Sequence, residues 1–336
     1  MEAMNRIKYI NALKGFAAIC VVIGHISNGY MGEHSASTLY YDIFNAVYAF
    51  HMPLFFVISG FLFGRTYFRD GQIDKSRIKA QVIRLACLYL FYSLILGGSK
   101  ILFDQYVVNQ VTPKDLLLIP VKPLELYWYL FVLIIYYFIF SRKFIIRLNS
   151  AVVLVITLAM GIASWWIPHR QLFDANRLVY YHFFFYLGIA LNKRDGILKK
   201  KAAVFVPLPC ILALYILFWN RNTQLNQTLI VNQALGIGCS IFLFAAFQQL
   251  RFLGENPLFL LTGRYGLEIY LLHTFILTAC RALFHHWNVE NPVLILFAST
   301  AAGVLIPILF GMACKMLRIH RFLFNPYKGR KQKEQH

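Results

Sequence analysis

Two ionisable side chains, Lys14 and His25, lie in the first apolar run of the chain. The run reads "YINALKGFAAICVVIGH", and its part from Phe16 to Ile23 carries no charge. A spacing of eleven residues corresponds in an α-helix to three turns plus about 20°, and to about 16 Å along the axis, so both side chains share one helix face. A charged group inside a membrane span usually faces a cavity or a partner. The pair therefore predicts a polar passage, with two simpler alternatives: Lys14 snorkels to the interface, and His25 caps a helix or lies at the headgroups.

A second stretch, "FHMPLFFVISGFLFGR", brings another histidine, His51, to the head of an apolar run that ends at Arg65. His51 is predicted to be intramembrane or interfacial. Gly60 permits close approach of a neighbouring helix, so packing is a sufficient explanation for Ser59 and Gly60 in the middle of the run.

The elements that position these residues follow from the composition. Of 336 residues, 59% are hydrophobic, 17% aromatic and 14% charged, whereas soluble domains are about 25% charged. A membrane-crossing helix needs roughly 17–25 apolar residues. Ten candidate runs, of which the fourth and sixth are short, predict an all-α polytopic membrane protein with about ten transmembrane helices near 9–28, 43–63, 82–103, 126–141, 151–167, 178–192, 202–219, 228–248, 258–280 and 293–314.

The basic residues predict the orientation of these helices. With the N-terminus inside, 25 Lys and Arg residues fall on the inner side and six on the outer side. This asymmetry predicts cytoplasmic N- and C-termini in a multi-pass protein of the inner (plasma) membrane. It also accounts for the net charge of +19, so nucleic-acid binding is not expected. The predicted domains are an integral-membrane domain, 1–320, and a basic cytoplasmic tail, 321–336.

The six cysteines all lie in apolar runs without a CxxC pair. Metal sites and disulfide frameworks need closer spacing. The sequence therefore predicts buried free thiols and no metal site.

Four motifs, in order along the chain, resemble the acyltransferase-3 family of integral-membrane acyltransferases. "NALKGFAAICVVIGH" and "FHMPLFFVISGFLF" are similar to its opening, where a basic residue, ten others and a histidine follow one another. "LYWYL" (126–130) resembles its tryptophan motif, and "GRYGLEIYLLH" (263–273) its late Tyr-Leu-x-His motif. Lysine at position 14, "FHMPLFF" and "RLVYYHFFFYLG" (177–188) are closest to its sugar (fucose-type) O-acetyltransferase branch.

The sequence departs from the family pattern at three positions. Asn11 stands where many members carry aspartate, so a carboxylate partner for Lys14 is missing there. Gln81 occupies the earlier arginine position of a cytoplasmic Arg-x-x-Arg motif that ends at Arg84, and Gly266 stands where serine is common.

The resemblance implies transfer of an acyl group, usually acetyl, from acyl-CoA to a hydroxyl of a cell-surface glycan or lipid-linked sugar of the bacterial envelope. His25 would be the general base or would itself be acylated. Lys14 would orient the thioester or stabilise developing negative charge. The acceptor and the length of the acyl chain stay open.

Coenzyme A carries phosphates, which a cluster of basic residues on the predicted inner side could bind by charge-assisted hydrogen bonds. The general excess of positive charge in cytoplasmic loops alone accounts for much of that cluster. Its members are Arg65, Arg77, Lys79 and Arg84. The candidate substrate-binding or supporting residues are Asn11, His51, Ser59, Trp128, Tyr129, Arg177, His182, Glu268 and His273.

Two of these supporting assignments have simpler explanations. His182, flanked by aromatic residues, also fits a structural histidine. Glu268 and His273 are five residues apart, which does not bring them onto one helix face, so they are not predicted to act as a pair.

A transporter or flippase for a small molecule or glycan precursor is the alternative function. Intramembrane Lys, His and Glu side chains also build proton and substrate pathways. Such a protein would more often show repeated halves with matched broken helices, and no such repeat is evident in this sequence.

Overall fold

A computed structural model describes residues 2–31, 37–69, 72–102, 111–124, 126–142, 148–167, 172–219 and 229–327. Within those ranges the only strands are β1 (Phe68–Arg69) and β2 (Gln72–Ile73), which pair antiparallel. The helices are α1 (Glu2–Tyr30), α2 (Ser37–Tyr48), α3 (His51–Tyr67), α4 (Lys75–Leu102), α5 (Pro113–Leu117), α6 (Trp128–Phe140), α7 (Ser150–Ala163), α8 (Ala175–Lys193), α9 (Ala202–Phe205), α10 (Pro207–Trp219), α11 (Leu229–Gln249), α12 (Arg251–Gly254), α13 (Pro257–Arg264), α14 (Gly266–His286), α15 (Pro292–Met316) and α16 (His320–Phe324).

The helices confirm the predicted all-α membrane architecture. Six segments are long and apolar enough to cross a bilayer: Lys8–Tyr30, Thr38–Tyr67, Lys75–Leu102, Ile230–Gln249, Gly266–His286 and Pro292–Met316. Shorter apolar helices cover Trp128–Phe140, Ser150–Trp166 and Ala202–Ile216, and the remaining predicted run falls on α8. Within the described residues, each of the ten runs therefore lies mostly on helix. Helices suit this role because they satisfy all their backbone hydrogen bonds internally.

Three of the predicted spans are interrupted rather than continuous. The second predicted span breaks at a turn before His51, and the seventh predicted span breaks at Val206, just before Pro207. Proline is tolerated in the first turn of a helix but not in its interior. This preference favours the start of a new helix at each of these two breaks. The ninth breaks at Tyr265, between Gly263 and Gly266, since glycine is a poor helix former.

The chain divides into two compact units, and the first comprises Met1–Ile58 with Lys193–Arg318. There α1 contacts α2, α11, α13, α14 and α15. Buried residues of α1 recur every four positions along one stripe, at Ala18, Val22, Ile26 and Tyr30, as expected for a helix packed on one face. They share a core with Tyr40, Tyr265, Ile269, Ile295, Val304 and Ile308.

Glycines bring α1 and α13 into backbone contact within this unit. A Cβ atom added at Gly263 would overlap the carbonyl oxygen of Asn11, and one added at Gly15 would overlap that of Phe259. Across the same contact, the side-chain amide of Asn11 donates to the carbonyl of Leu260 at 3.0 Å. Small residues are what allow helices in a membrane to approach so closely.

The second unit, Ser59–Asn192 with Ile319–His336, is rich in packed aromatic rings. Phe63, Tyr137 and Phe140 contact the ring of Phe185, and Tyr136 lies 5.3 Å from it between centroids. A Cβ at Gly60 would overlap the carbonyl oxygen of Phe185. The predicted packing role of Gly60 is thus confirmed.

The start of the predicted tail packs within this second unit. Phe324, in α16, is buried and stacks on Tyr92 with centroids 6.2 Å apart. Arg84 donates to the Phe324 carbonyl at 3.5 Å. Residues 328–336, the rest of the predicted basic tail, lie outside the described residues.

The connection before α6 contains an ordered turn at α5. Thr112 and Asp115 form a reciprocal capping box, an arrangement that satisfies donors at a helix start. Hydrogen bonds from Thr112 hold the pKa of the partly exposed Asp115 carboxyl below its usual range.

Large apolar side chains cover the outside of several helices. On α15 the exposed ones are Val293, Leu294, Phe297, Leu305, Ile306, Leu309, Phe310, Met312 and Met316. Exposed apolar patches of this kind mark a surface that another medium covers, here lipid. The six thiols are free; Cys20, Cys239 and Cys314 are buried, but Cys210 is exposed, which corrects the expectation of uniform burial because α10 turns that side chain outward.

Candidate active site

An aromatic and imidazole cluster forms in the first unit where four elements meet. His25 comes from α1, Tyr48 ends α2, His51 begins α3 and His273 lies on α14. The ring centroids of His25 and His273 are 5.1 Å apart, with planes inclined by 51°. Tyr48 lies edge-on to both His25, at 6.4 Å, and His51, at 4.6 Å. Three of the sequence-predicted site residues are thereby brought together.

Two of these histidines are tied to their own helices. Nδ1 of His51 lies 2.9 Å from the carbonyl oxygen of Val47, and Nδ1 of His273 lies 2.8 Å from that of Ile269. A carbonyl can only accept, so each Nδ1 carries the proton and each Nε2 carries a lone pair. His51 is 2% exposed and His273 is fully buried, whereas His25 is a residue of intermediate burial.

Lys14, three turns before His25 on the same helix, is partly buried. Near the start of α1, Asn11 holds α13 through its bond to Leu260, which gives this position a packing role in place of the missing carboxylate. Glu268 is buried beside Gly311 and Tyr265, and the ammonium of Lys315 lies 4.0 Å from the Tyr265 ring centroid.

In the second unit, two predicted residues share a hydrogen bond. The Ser59 hydroxyl lies 2.6 Å from the hydroxyl of Tyr129, a short separation for an O–H···O bond. Ser59 is partly exposed and Tyr129 is buried. The pair fixes α3 against α6.

A third cluster surrounds Arg177, also in the second unit. Its guanidinium lies 4.6 Å from the Trp128 ring centroid and 2.9 Å from a carboxylate oxygen of Asp174. Tyr181 lies 5.2 Å from Trp128 between ring centroids. Stacking on one side and an ion pair on the other hold the guanidinium in a fixed orientation.

His182 lies on α8 in the same unit. Its Nδ1 is 2.6 Å from the carbonyl oxygen of Val179, as a structural histidine would be. Its buried Nε2 has no hydrogen-bond partner among the residues that the structure describes, so only one of its two nitrogens is satisfied there.

The predicted phosphate-binding residues all lie in the second unit and differ in their surroundings. Arg77 and Lys79 are exposed, and Arg65 and Arg84 are partly buried. Arg77 pairs with Asp74 at 3.2 Å, which reduces the net positive charge it offers. Beside it, residues Thr66, Tyr67, Gln72, Ile73, Asp74 and Arg77 line a small depression of about 170 Å³.

Sequence reasoning missed three members of these clusters, Tyr48, Asp174 and Tyr181. Tyr48 lies three residues before His51, one helical turn away, and Asp174 lies three before Arg177. That spacing is a usable signal, because side chains three apart can meet. Among the described ranges, no group of three or more His, Cys, Asp or Glu side chains could hold a metal ion.

Comparison with known proteins places these clusters in a family. The model of an acyltransferase domain, that of the acyltransferase-3 family, matches residues 7–312. Nodulation protein NolL of Sinorhizobium fredii (strain NBRC 101917 / NGR234) is 23% identical over 242 residues, which are 68% of this chain and 62% of that protein. The match thus spans less than two thirds of the relative's length. No solved structure matches the chain. With its family model covering all three clusters, the chain belongs to the acyltransferase-3 family of integral-membrane acyltransferases.

Proposed function

We propose that this protein transfers an acyl group, most simply acetyl, from acyl-CoA to a hydroxyl of a cell-surface glycan or lipid-linked sugar. One observation carries the proposal: in a chain of an acyltransferase family, the imidazole of the partly buried residue His25 lies 5.1 Å from the imidazole of His273, measured between ring centroids. A neutral imidazole can take a proton from a hydroxyl and later return it.

In the proposed reaction, neutral His25 takes the proton of the acceptor hydroxyl while the hydroxyl oxygen attacks the thioester carbonyl. The new C–O bond gives a tetrahedral intermediate with a negative oxygen. Collapse of this intermediate breaks the C–S bond, and the departing thiolate takes the proton back from His25. The products are the O-acylated sugar and free coenzyme A, with every proton accounted for.

Lys14 and the basic cluster have electrostatic roles in this proposal. Lys14 would orient the thioester or stabilise the developing oxyanion, since preorganised charge is worth most in a water-poor site. Arg65, Arg77, Lys79 and Arg84 would bind donor phosphates by charge-assisted hydrogen bonds. The motifs favour a sugar O-acetyltransferase of the fucose type, and the distribution of Lys and Arg favours the inner membrane.

An acyl-histidine route differs from this base mechanism in one measurable way. If His25 were acylated, the protein incubated with donor alone would carry a stoichiometric acyl group and release thiol in a burst. Under the base mechanism thiol release depends on the acceptor. Both routes use the imidazole of His25.

The test uses the full chain, purified and placed in lipid nanodiscs, with labelled acetyl-CoA and membrane extracts that contain the acceptor. His25→Ala should lower acyl transfer by about 100-fold or more, the contribution typical of a general base. His286→Ala, which alters an exposed histidine of α14, is the matched control and should keep full activity. Unchanged transfer in His25→Ala would refute the role of His25.

The acceptor can be found by comparing surface glycans from cells with and without the gene by mass spectrometry. Loss of one acetyl unit from a glycan would identify both the donor group and the acceptor class. Accumulation of an unmodified, untransported precursor would instead support the flippase alternative.

A further inference from the structure

We infer that His273 fixes the tautomer of His25 and so determines which imidazole nitrogen acts as the base. The assignment rests on the proposed function, in which His25 removes the proton of the acceptor hydroxyl. It makes His273 a positioning residue, because it acts on the reaction through His25 and does not itself touch the reacting atoms.

The first step is the commitment of one nitrogen of His273 to its own helix. Nδ1 lies 2.8 Å from the carbonyl oxygen of Ile269 and 3.0 Å from that of Tyr270. Two acceptors at hydrogen-bonding distance require an N–H at this atom. In the neutral ring, Nε2 must then carry the lone pair and can only accept.

The second step concerns that acceptor, which is buried. His273 is fully buried, and its Nε2 has no hydrogen-bond partner among the described residues. Leaving a buried polar atom unsatisfied is unfavourable, so the atom favours any donor that comes within reach. The ring of His25 lies 5.1 Å away between centroids, which is close enough for one of its nitrogens to supply such a donor.

The third step follows from the chemistry of a neutral imidazole, which has one N–H and one lone pair. If His25 directs its N–H to Nε2 of His273, its other nitrogen must be the base. When that nitrogen takes the acceptor proton, His25 becomes a cation, and Nε2 of His273 still accepts its first N–H. Hydrogen bonds between catalytic groups often tighten only when the substrate is bound.

The other rings of the cluster are less suited to this task. Tyr48 contacts His25 edge-on at a larger separation, 6.4 Å. His51 contacts Tyr48 and directs its Nδ1–H to the carbonyl of Val47. The geometry therefore assigns the role to His273.

Two substitutions separate this role from simple packing. Glutamine at position 273 can place its amide where Nε2 lies in the native imidazole. Asparagine is shorter, and its amide reaches only to the position of the native Nδ1. We expect His273→Gln to keep kcat within about tenfold of the native value and His273→Asn to lose about 100-fold, both with little change in KM. Equal losses of kcat in the two variants would overturn the inference, since both remove the same ring.

A second measurement does not depend on turnover. Solid-state NMR of protein with ¹⁵N-labelled histidine, in nanodiscs without donor or acceptor, reports the tautomer of each ring, and the His25→Gln spectrum identifies the His25 signals. We expect one tautomer of His25 in the native protein and in His273→Gln, and a mixture in His273→Asn. A single, unchanged tautomer in His273→Asn would refute the inference.

The two measurements also separate this inference from the proposed function. Absence of acyl transfer by the native protein would count against the proposed function, while the NMR result would still decide whether His273 controls the tautomer of His25.

Discussion

At the scale of single residues, three histidines share one local arrangement. His51, His182 and His273 each direct Nδ1 to a backbone carbonyl three or four residues earlier on the chain. Such a bond satisfies one polar atom without a partner from another helix. It also fixes the tautomer, so that Nε2 is available as an acceptor. His25 has no such tether to its own helix among the described residues.

The hydroxyl pair of Ser59 and Tyr129 gives a prediction at this scale. Tyr129→Phe and Ser59→Ala should each lower the free energy of unfolding in detergent by about 0.6–1 kcal/mol, the usual worth of a hydrogen bond between membrane helices. The double variant should lose little more than either single one, because both changes remove the same bond. Denaturant unfolding measures all three, and strictly additive losses would contradict the pairing.

At the scale of elements, the contact between α1 and α13 depends on glycine. A methyl group at Gly263 would overlap the Asn11 carbonyl. At Gly266, three residues later, no neighbouring atom would lie within 4 Å of an added methyl group. Glycine in a helix is otherwise about 1 kcal/mol less favourable than alanine. Whether a Gly→Ala change stabilises or destabilises the protein therefore depends on whether the neighbouring backbone leaves room for the added methyl group.

We predict that Gly263→Ala destabilises the protein by about 1–3 kcal/mol through overpacking. Gly266→Ala is the matched control and should be neutral or slightly stabilising. Denaturant unfolding of both variants in the same detergent measures the difference. A Gly263→Ala protein as stable as the control would show that α1 and α13 can move apart without cost.

Elements also show what the sequence could and could not predict. Helical periodicity placed Lys14 and His25 on one face, and the small side chain of Gly60 indicated a close helix contact; both depend on local geometry. The approach of His273 to His25 is different, because it results from the packing of helices far apart in the chain. The breaks at Tyr265 and before His51 were missed because hydrophobic runs continue through them, and only backbone preferences of Gly and Pro mark the boundaries.

At the scale of the whole molecule, the distribution of charge predicts how the chain lies in the membrane. Basic residues concentrate in alternate connections, and such segments stay in the cytoplasm. The exposed aliphatic side chains of α15 agree with a lipid-facing position. Together these features predict that the connection between α14 and α15 faces outward and that the connection after α8 faces the cytoplasm.

Single cysteines in a cysteine-free background test this topology. Glu290→Cys, exposed between α14 and α15, should react with a membrane-impermeant maleimide on intact spheroplasts. Lys200→Cys, exposed after α8, should react only after permeabilisation. The opposite labelling pattern would invert the proposed orientation and place the basic cluster on the wrong side for cytosolic coenzyme A.

The backbone bonds of His273 have one more consequence. Because Ile269 and Tyr270 hold the ring, its aim is set by the winding of α14 and not by a side-chain torsion. One alanine inserted between Gly266 and Ile269 would wind the rest of the helix round by about 100° and carry the imidazole away from α1. A lipid or inhibitor wedged beside α14 that twisted it in the same sense would stop the enzyme while leaving both histidines chemically intact.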